Sequence, residues 1–214
     1  MNRPDFSNFL AHFTKDGAFC NAEQDKEIST IANQTARDRL VSILQHKRIS
    51  ATNMPWTNLP CVCFTECPWN SLLAHTKRYS SYGIGFTKAF IFKKKGSPAL
   101  YLRVNIFKKY RKRKKMSKEE KEWWVFATPF SPSYRNKYEK GLLKTVDYTH
   151  EREWRLPKDL TFEYADIAFI IVKTLSDLQN FPEEIQTSLK DNGVKVLVMD
   201  NYRLIEELWP LHIM

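Results

Sequence analysis

The chain has 214 residues, of which 43% are hydrophobic and 14% aromatic, which is enough for one substantial buried core. Its longest apolar stretches, residues 167–172 and residues 194–199 with Lys195 inside, have the length of strands and are far shorter than the roughly 20 residues of a membrane-spanning helix. The N-terminal residues include no hydrophobic stretch of signal-peptide length, so we expect a cytoplasmic protein that makes no contact with a membrane. The formal net charge is +10.

The N-terminal half alternates strand-like and helix-like segments. Apolar and β-branched residues predict strands at residues 9–14, 61–65 and 99–104. Helical spacing predicts a helix over about residues 34–46, and a proline in the first helical position predicts another over residues 68–79. Two glycines predict a turn over residues 80–86.

The C-terminal half begins with a helix signal. Residues 117–120 read Ser-Lys-Glu-Glu, a capping box, and predict a helix that carries aromatic residues inward before Pro129, followed by a loop to residue 140. Strands are predicted at residues 148–156, 168–172 and 194–199. A helix over residues 181–193 should connect the last two strands, and a final helix should cover residues 202–208.

Short strands mixed with helices, without regular strand–helix alternation, indicate an α+β fold with a split, mixed or largely antiparallel sheet and flanking helices. No linker separates two halves of the sequence, so we predict one domain, residues 1–214, with a basic insertion at about residues 105–136. The sequence shows no internal repeat and no glycine-rich phosphate-binding loop.

Three of the four cysteines crowd into one short segment, and Cys20 stands alone, a pattern that does not indicate a disulfide framework. Cys61, Cys63, Cys67 and His75 could supply four zinc ligands, but their spacing matches no common structural zinc motif, so we expect no metal. We predict instead that Cys61 and Cys63 are small apolar side chains on the buried face of a strand.

Most of the positive charge lies in one basic run, where seven of the eight residues 108–115 are basic. A concentrated basic segment with one aromatic residue suits contacts to the phosphates of RNA or DNA. It would serve an anionic protein partner equally well, and the alternative is a solvated loop that binds nothing specific. The candidate nucleic-acid-binding residues are Lys108, Lys109, Arg111, Lys112, Arg113, Lys114 and Lys115.

The segment of residues 149–157 carries Glu151, Glu153 and Arg155 at alternating positions. If the segment is extended, these three side chains share one face, and two neighbouring carboxylates raise each other's pKa. Such pairs occur where a cationic transition state is stabilised or a proton is moved. The alternative is an exposed strand face that carries ion pairs.

Four short motifs follow one another along the chain: His-Phe-Thr at residues 12–14, Cys-Phe-Thr-Glu at 63–66, Tyr-x-x-Tyr-Gly-Ile-Gly-Phe at 79–86 and Glu-Trp-Arg at 153–155. In this order the motifs resemble the abortive phage-resistance family AbiGi. The resemblance spans roughly residues 9–198. It implies a role in phage defence and does not by itself name a reaction.

The order of the motifs is also similar to that of ADP-ribosyltransferases, in which NAD lies in the cleft of a split mixed sheet. This resemblance implies that His12, with Thr14 beside it, grips NAD as a substrate. Thr65 would orient the nicotinamide portion, and either Tyr79 or Tyr82 would stack on it.

The same resemblance gives the two carboxylates separate roles. Glu153 would be the catalytic carboxylate, because cleavage of the nicotinamide–ribose bond builds positive charge on the sugar. Glu151 would accept a proton from the incoming acceptor group.

Three classes of function follow from these readings. The favoured one is an NAD-dependent ADP-ribosyltransferase, a toxin or effector of phage defence that modifies a nucleic acid, RNA rather than DNA, and that pairs with an antitoxin or chaperone protein. The alternative is a non-enzymatic antitoxin or regulator that binds nucleic acid or a protein partner. The third is a metal-dependent nuclease that uses His12, Glu66, Glu151 and Glu153, although these residues have no recognised metal-binding spacing.

Overall fold

The computed structural model describes residues 7–17, 34–66, 76, 79–113, 116–132 and 147–208. The chain forms two compact units: unit 1 comprises residues 1–49, 67–90 and 161–214, and unit 2 comprises residues 50–66 and 91–160. Each unit is therefore assembled from segments that are separated in the sequence. The expectation of one domain with a basic insertion stays a prediction.

Short strands and helices alternate irregularly along the described residues. The strands are β1 (Phe9–Phe13), β2 (Arg48–Ile49), β3 (Thr52–Asn53), β4 (Pro60–Thr65), β5 (Gly83–Thr87), β6 (Ser97–Pro98), β7 (Leu100–Arg103), β8 (Ala127–Phe130), β9 (Glu153–Leu156), β10 (Leu160–Thr161), β11 (Ile167–Val172) and β12 (Lys195–Val198). The helices are α1 (Ala36–His46), α2 (Lys88–Lys93), α3 (Val104–Arg111), α4 (Lys118–Trp124), α5 (Leu175–Gln179), α6 (Glu183–Asp191) and α7 (Met199–Leu208). Single 3-10 turns cover Thr149–Glu151 and Tyr164–Asp166. This mixture confirms the predicted α+β class.

Four strands of unit 1 form a mixed sheet in the order β12, β11, β5, β1, whereas β2 pairs with β10. β11 and β12 are parallel and are connected through α5 and α6, which confirms the predicted strand–helix–strand unit. β5 runs antiparallel to both of its neighbours and buries Ile84 and Phe86. A Cβ at Gly85 would lie 2.2 Å from the ring of Phe169, so a side chain at this position of β5 would require that ring to move.

The helix α1 has the two ends that its sequence encodes. The Thr35 hydroxyl accepts a hydrogen bond from the Asp38 N–H and caps the first turn, and Lys47 ends the helix in the left-handed conformation, with φ 48°. Leu40 and Leu44 are fully buried, so the helical spacing that predicted α1 also marks its inward side.

Unit 2 combines an antiparallel sheet with two short helices. β3, β4, β9 and β6 are neighbours in that order, and β7 and β8 form a separate parallel pair. The capping box at Ser117 starts α4 as predicted, since the Ser117 hydroxyl accepts from the Glu120 N–H. α3 and α4 stack Phe107 on Trp124 with 4.7 Å between ring centroids, and Ala127 is buried beside them.

Several predicted elements differ from the observed ones. Residues 80–86 do not form a turn, because their two glycines leave room for close neighbours inside β5; a Cβ at Gly83 would lie 2.8 Å from the His12 carbonyl oxygen. Pro129 lies within β8, opposite Leu102, where a two-stranded pair tolerates a residue that cannot donate. The helix predicted over residues 68–79 lies largely outside the described residues.

Candidate functional site

Arg155 and Glu153 of β9 form a buried ion pair in unit 2. Arg155 is fully buried, and its Nε and Nη2 donate to the two Glu153 oxygens at 2.8 Å each. Nη1 donates to the backbone oxygens of Val125 and Ala127, and Nη2 also donates to the Thr128 hydroxyl at 2.6 Å. Five hydrogen bonds therefore match the five N–H groups of the guanidinium.

The surroundings of Arg155 keep its guanidinium protonated. Burial by itself lowers the pKa of Arg155, but the hydrogen bonds and negative charge of Glu153 outweigh burial, so the pKa is raised and the guanidinium stays charged. Both Glu153 oxygens accept from Arg155, and only 10% of the Glu153 side chain is exposed. The ion pair lies within β9, and the remaining hydrogen bonds of its guanidinium tie β9 to Ala127 and Thr128 of β8. A catalytic role for Glu153 stays a prediction.

Glu151 does not share a strand face with Glu153, contrary to the prediction from alternation. Glu151 ends a 3-10 turn, Arg152 follows in the left-handed conformation with φ 44°, and the strand begins only at Glu153. The turn is fixed from β4, because the Thr65 hydroxyl donates to the backbone oxygen of Glu151 and the Glu66 N–H donates to that of Arg152. The Thr65 hydroxyl, predicted to orient nicotinamide, is thus hydrogen-bonded to the backbone of this turn.

The Glu151 side chain is 8% exposed and lies beside an imidazole, with 4.0 Å between its Oε1 and the His150 Nε2. Glu66 is also buried, and its Oε1 lies 3.8 Å from the Arg152 Nη1. The three carboxylates of this region, those of Glu66, Glu151 and Glu153, therefore each lie near a basic side chain within unit 2.

The predicted NAD-binding residues of the first and third motifs lie in unit 1. His12 is half-buried in β1, opposite Ile84 of β5. The buried Thr14 donates through its hydroxyl to the Ala36 backbone oxygen at 2.7 Å, and its N–H donates to the Tyr82 backbone oxygen at 3.0 Å. Thr14 thus joins α1 to the strands, and binding of a nucleotide by these residues stays a prediction.

The two candidate tyrosines differ in environment. Tyr79 stacks on Phe13, with 6.4 Å between ring centroids and 27° between ring planes. Tyr82 hydrogen-bonds Asp177, and its pKa is raised to about 12, first by burial and then by the charge of and hydrogen bond to Asp177. Each ring is therefore engaged within unit 1.

The basic run begins inside α3: Lys108, Lys109 and Arg111 lie in the helix, and Lys112 caps its C-terminus. The Phe107 side chain is buried, whereas Lys108, Lys109, Arg111 and Lys112 are exposed. No acidic side chain among the described residues pairs with these four cations. We call them the basic side of α3. Of the other candidates, Arg113 pairs with Glu120, whereas Lys114 and Lys115 lie outside the described residues.

A groove of about 300 Å³ lies between the loop that precedes β4 and the helices α3 and α4. We call it the aromatic groove; its lining includes Trp56, Leu59, Tyr110, Arg111, Lys121 and Trp124. The Arg113 guanidinium lies over the Tyr110 ring at 4.6 Å from its centroid. Cations and aromatic rings are thus mixed along this groove.

A second groove, of about 560 Å³, lies on the same unit. We call it the lysine groove; its lining includes Leu59, Lys94, Lys95, Lys121, Phe126 and Lys158. No sequence pattern indicates Trp56, Lys121 or Lys158, because residues far apart in the chain form these grooves. The basic run and the three lysines at residues 93–95 were visible as charge clusters.

The described residues contain no group of three or more His, Cys, Asp or Glu side chains arranged to hold a metal ion. Cys61 and Cys63 place their Sγ atoms 3.8 Å apart on β4, and the hydrogen bond to Cys61 raises the pKa of the Cys63 thiol well above its ordinary value. Cys20, Cys67 and His75 lie outside the described residues. None of the helices described here is both long enough and apolar enough to cross a lipid bilayer.

Comparison with known protein families gives a match. The family model described as "Putative abortive phage resistance protein AbiGi, antitoxin" matches residues 30–195, more than half of the chain. No curated protein and no solved structure matches the chain.

This match corrects the favoured functional prediction. A family of antitoxins contradicts a toxin or effector that transfers ADP-ribose, and it fits the alternative, a non-enzymatic antitoxin. The likeness to ADP-ribosyltransferases finds no support in the comparisons, so NAD as a substrate stays a prediction without a second observation behind it.

Proposed function

We propose that this chain, which belongs to the AbiGi family of abortive phage resistance proteins, is a non-enzymatic antitoxin that neutralises a toxin protein by binding to it. The description of the family as an antitoxin supports this function and makes a toxin the expected partner. Two features of unit 2, its engaged carboxylates and its exposed cations, support a role in binding rather than in chemistry.

The observation that carries the proposal is the basic side of α3. These four cations project from a helix that the buried Phe107 anchors, so the charge is presented on a fixed element. Exposed cations without partners attract an anionic surface and accelerate its association. We infer that the toxin presents acidic side chains to this helix.

The carboxylates predicted to be catalytic support the non-enzymatic part of the proposal. A catalytic carboxylate must reach the reacting atom or the proton that it moves. In unit 2 both Glu153 oxygens are bound by Arg155, and the Glu151 side chain is largely buried beside His150.

Titration of the toxin of the same phage-resistance system with this chain tests the proposal. A binding antitoxin abolishes toxin activity in proportion to its amount and completely near one copy per toxin. An enzymatic antitoxin would inactivate an excess of toxin over time. Progressive inactivation by a small fraction of an equivalent, or no neutralisation at any ratio, would contradict the proposal.

Replacement of lysines on α3 tests the surface. Lys108→Gln, Lys109→Gln and Lys112→Gln together should slow association with the toxin and remove most of its salt dependence. The matched control replaces three exposed lysines of unit 1, Lys173, Lys190 and Lys195, with glutamine. Equal effects of the two triple variants would show that only net charge matters.

A second candidate function, binding of RNA, is favoured by the stacking of Arg113 on Tyr110 next to the basic side of α3. Cations interleaved with aromatic rings suit a single-stranded backbone and its bases. If all three α3 lysines contact phosphates, the triple variant should reduce the slope of log K against log salt by about 2 for a single-stranded 12-nucleotide RNA. An unchanged slope would argue against RNA on α3.

A further inference from the structure

The aromatic groove and the lysine groove share part of their lining. Leu59 and Lys121 line both, so the two grooves adjoin along one side of unit 2. Their volumes, about 300 and about 560 Å³, are each suited to a few side chains. A ligand that fills both grooves must therefore pass Leu59 and Lys121.

The lining of this double groove is strongly cationic. Among the described residues that line it, Glu122 is the one acid, whereas six are basic: Lys94, Lys95, Arg111, Arg113, Lys121 and Lys158. Arg113 is already paired with Glu120, but Lys95, Lys121 and Lys158 are exposed and have no acidic partner in the described parts of the chain. The charge of the grooves complements an acidic ligand.

Apart from its lysines and Glu122, the lysine groove is lined by apolar residues and differs in kind from a base-stacking platform. Leu59, Pro60, Val125, Phe126 and Pro157 contribute to the lysine groove. Aliphatic and proline side chains form pockets for apolar side chains, whereas bases require flat aromatic faces. Of these five residues Phe126 alone has an aromatic ring. The lysine groove therefore fits a polypeptide better than a nucleic acid strand.

We propose that the double groove is the docking site for an extended segment of the toxin in which acidic and apolar side chains alternate. Because successive side chains of an extended segment point in opposite directions, one set can enter the apolar lining while the other meets the lysines at the rim. This proposal rests on the proposed function, since it assigns the toxin a place on the antitoxin. The lysines assigned to docking, Lys95, Lys121 and Lys158, are distinct from those of the basic side of α3, which shares Arg111 with the aromatic groove and supplies long-range attraction.

A labelled peptide provides a direct test with the full chain. The probe is a fluorescein-labelled 14-residue peptide that alternates glutamate with leucine, and its binding is followed by fluorescence anisotropy. Lys95→Gln, Lys121→Gln and Lys158→Gln together should weaken binding roughly tenfold, as expected for three lost ion pairs. The Lys173, Lys190 and Lys195 triple variant should bind as the unaltered chain does.

Two further probes distinguish the chemistry of the ligand. A peptide of alternating glutamate and serine has the same charge and should bind at least about tenfold more weakly, because its side chains leave the apolar lining unfilled. A 14-nucleotide single-stranded RNA should not displace the glutamate–leucine peptide. Displacement by RNA, or equal binding of the two peptides, would overturn the proposal.

Toxin neutralisation separates failure of this proposal from failure of the proposed function. If the unaltered chain does not neutralise the toxin, the proposed function fails. If the unaltered chain neutralises it and the Lys95, Lys121 and Lys158 triple variant neutralises it with unchanged affinity, the docking site alone is wrong. The expected result is neutralisation by the unaltered chain and an affinity for the toxin lowered roughly tenfold in the triple variant.

Discussion

Unit 2 contains two kinds of cation whose environments are opposite. Arg155 is fully buried and makes five hydrogen bonds, two of them to one carboxylate. Lys108, Lys109 and Arg111 are exposed on α3 and lack acidic partners in the described residues. A buried and satisfied charge marks a position that the fold depends on, whereas an exposed charge without partners is available to another molecule.

Removal of the buried cation should have the largest effect. Arg155→Met leaves the Glu153 carboxylate, 10% exposed, without its partner, and should lower the free energy of unfolding by about 3–5 kcal/mol in urea titrations. Arg113→Met is the matched control, because the Arg113–Glu120 pair is more exposed and should cost at most about 1 kcal/mol. If the two variants lost similar amounts of unfolding free energy, the proposed difference between buried and exposed cations would be wrong.

A smaller change at the same guanidinium should have an intermediate effect. The fully buried Thr128 accepts from Arg155 Nη2 at 2.6 Å. Thr128→Val keeps the shape but removes the acceptor, so the free energy of unfolding should fall by about 1–3 kcal/mol. Thr128→Ser retains the hydroxyl and should recover part of this loss. No difference between valine and serine would show that the hydrogen bond contributes little.

Local signals explain which elements the sequence could predict. Two correct predictions depended only on residues that are neighbours in the sequence. They are the helix start at the capping box of Ser117 and the strand–helix–strand unit over residues 167–198. The helix α3 also had a local signal, because lysine and arginine favour helices, but no helix was predicted for the basic run, and a solvated loop was the alternative to a binding segment.

The predictions that the structure contradicts, and the contacts that were not predicted, share a different cause. The alternation of side chains predicted that Glu151 and Glu153 share one strand face. Arg152, between them, has a left-handed backbone conformation that interrupts the strand, and no side-chain pattern predicts that conformation. The pairing of Arg155 with Thr128 and the two grooves depends on residues brought together only by folding. Sequence reasoning therefore identified the charged segments but not the partners that decide what each charge does.

The pH dependence of stability probes the surroundings of the buried pair. The pKa of Tyr101 is raised to about 12 by burial and then by the charges of Glu153 and Glu151, and its hydroxyl donates to the Tyr148 backbone oxygen. In the unfolded chain tyrosine ionises near pH 10. Between about pH 10 and 12 the unfolded chain loses this proton while the folded chain keeps it, so the free energy of unfolding falls as pH rises.

Tyr101→Phe should cost about 1 kcal/mol at pH 8, where only the hydrogen bond is lost, and should reduce the decline between pH 10 and 12. Tyr82 in unit 1 has a pKa raised in the same direction, so Tyr82→Phe should remove a separate part of that decline. Urea titrations at pH 8 and pH 11 measure both. A decline that neither variant changes would contradict the assignment to these tyrosines.

The smallest effect on stability is expected where the effect on binding is largest. Lys108→Gln, Lys109→Gln and Lys112→Gln remove exposed charges that make no ion pair in the described residues, so the free energy of unfolding should change by no more than about 0.5 kcal/mol. Because the three substitutions also remove mutual repulsion among these cations, any loss of stability should be smaller at low salt. A stable triple variant that no longer binds the toxin rapidly would show that the basic side of α3 serves a partner. A destabilised one would place these lysines, with Arg155, among the charges that the fold requires.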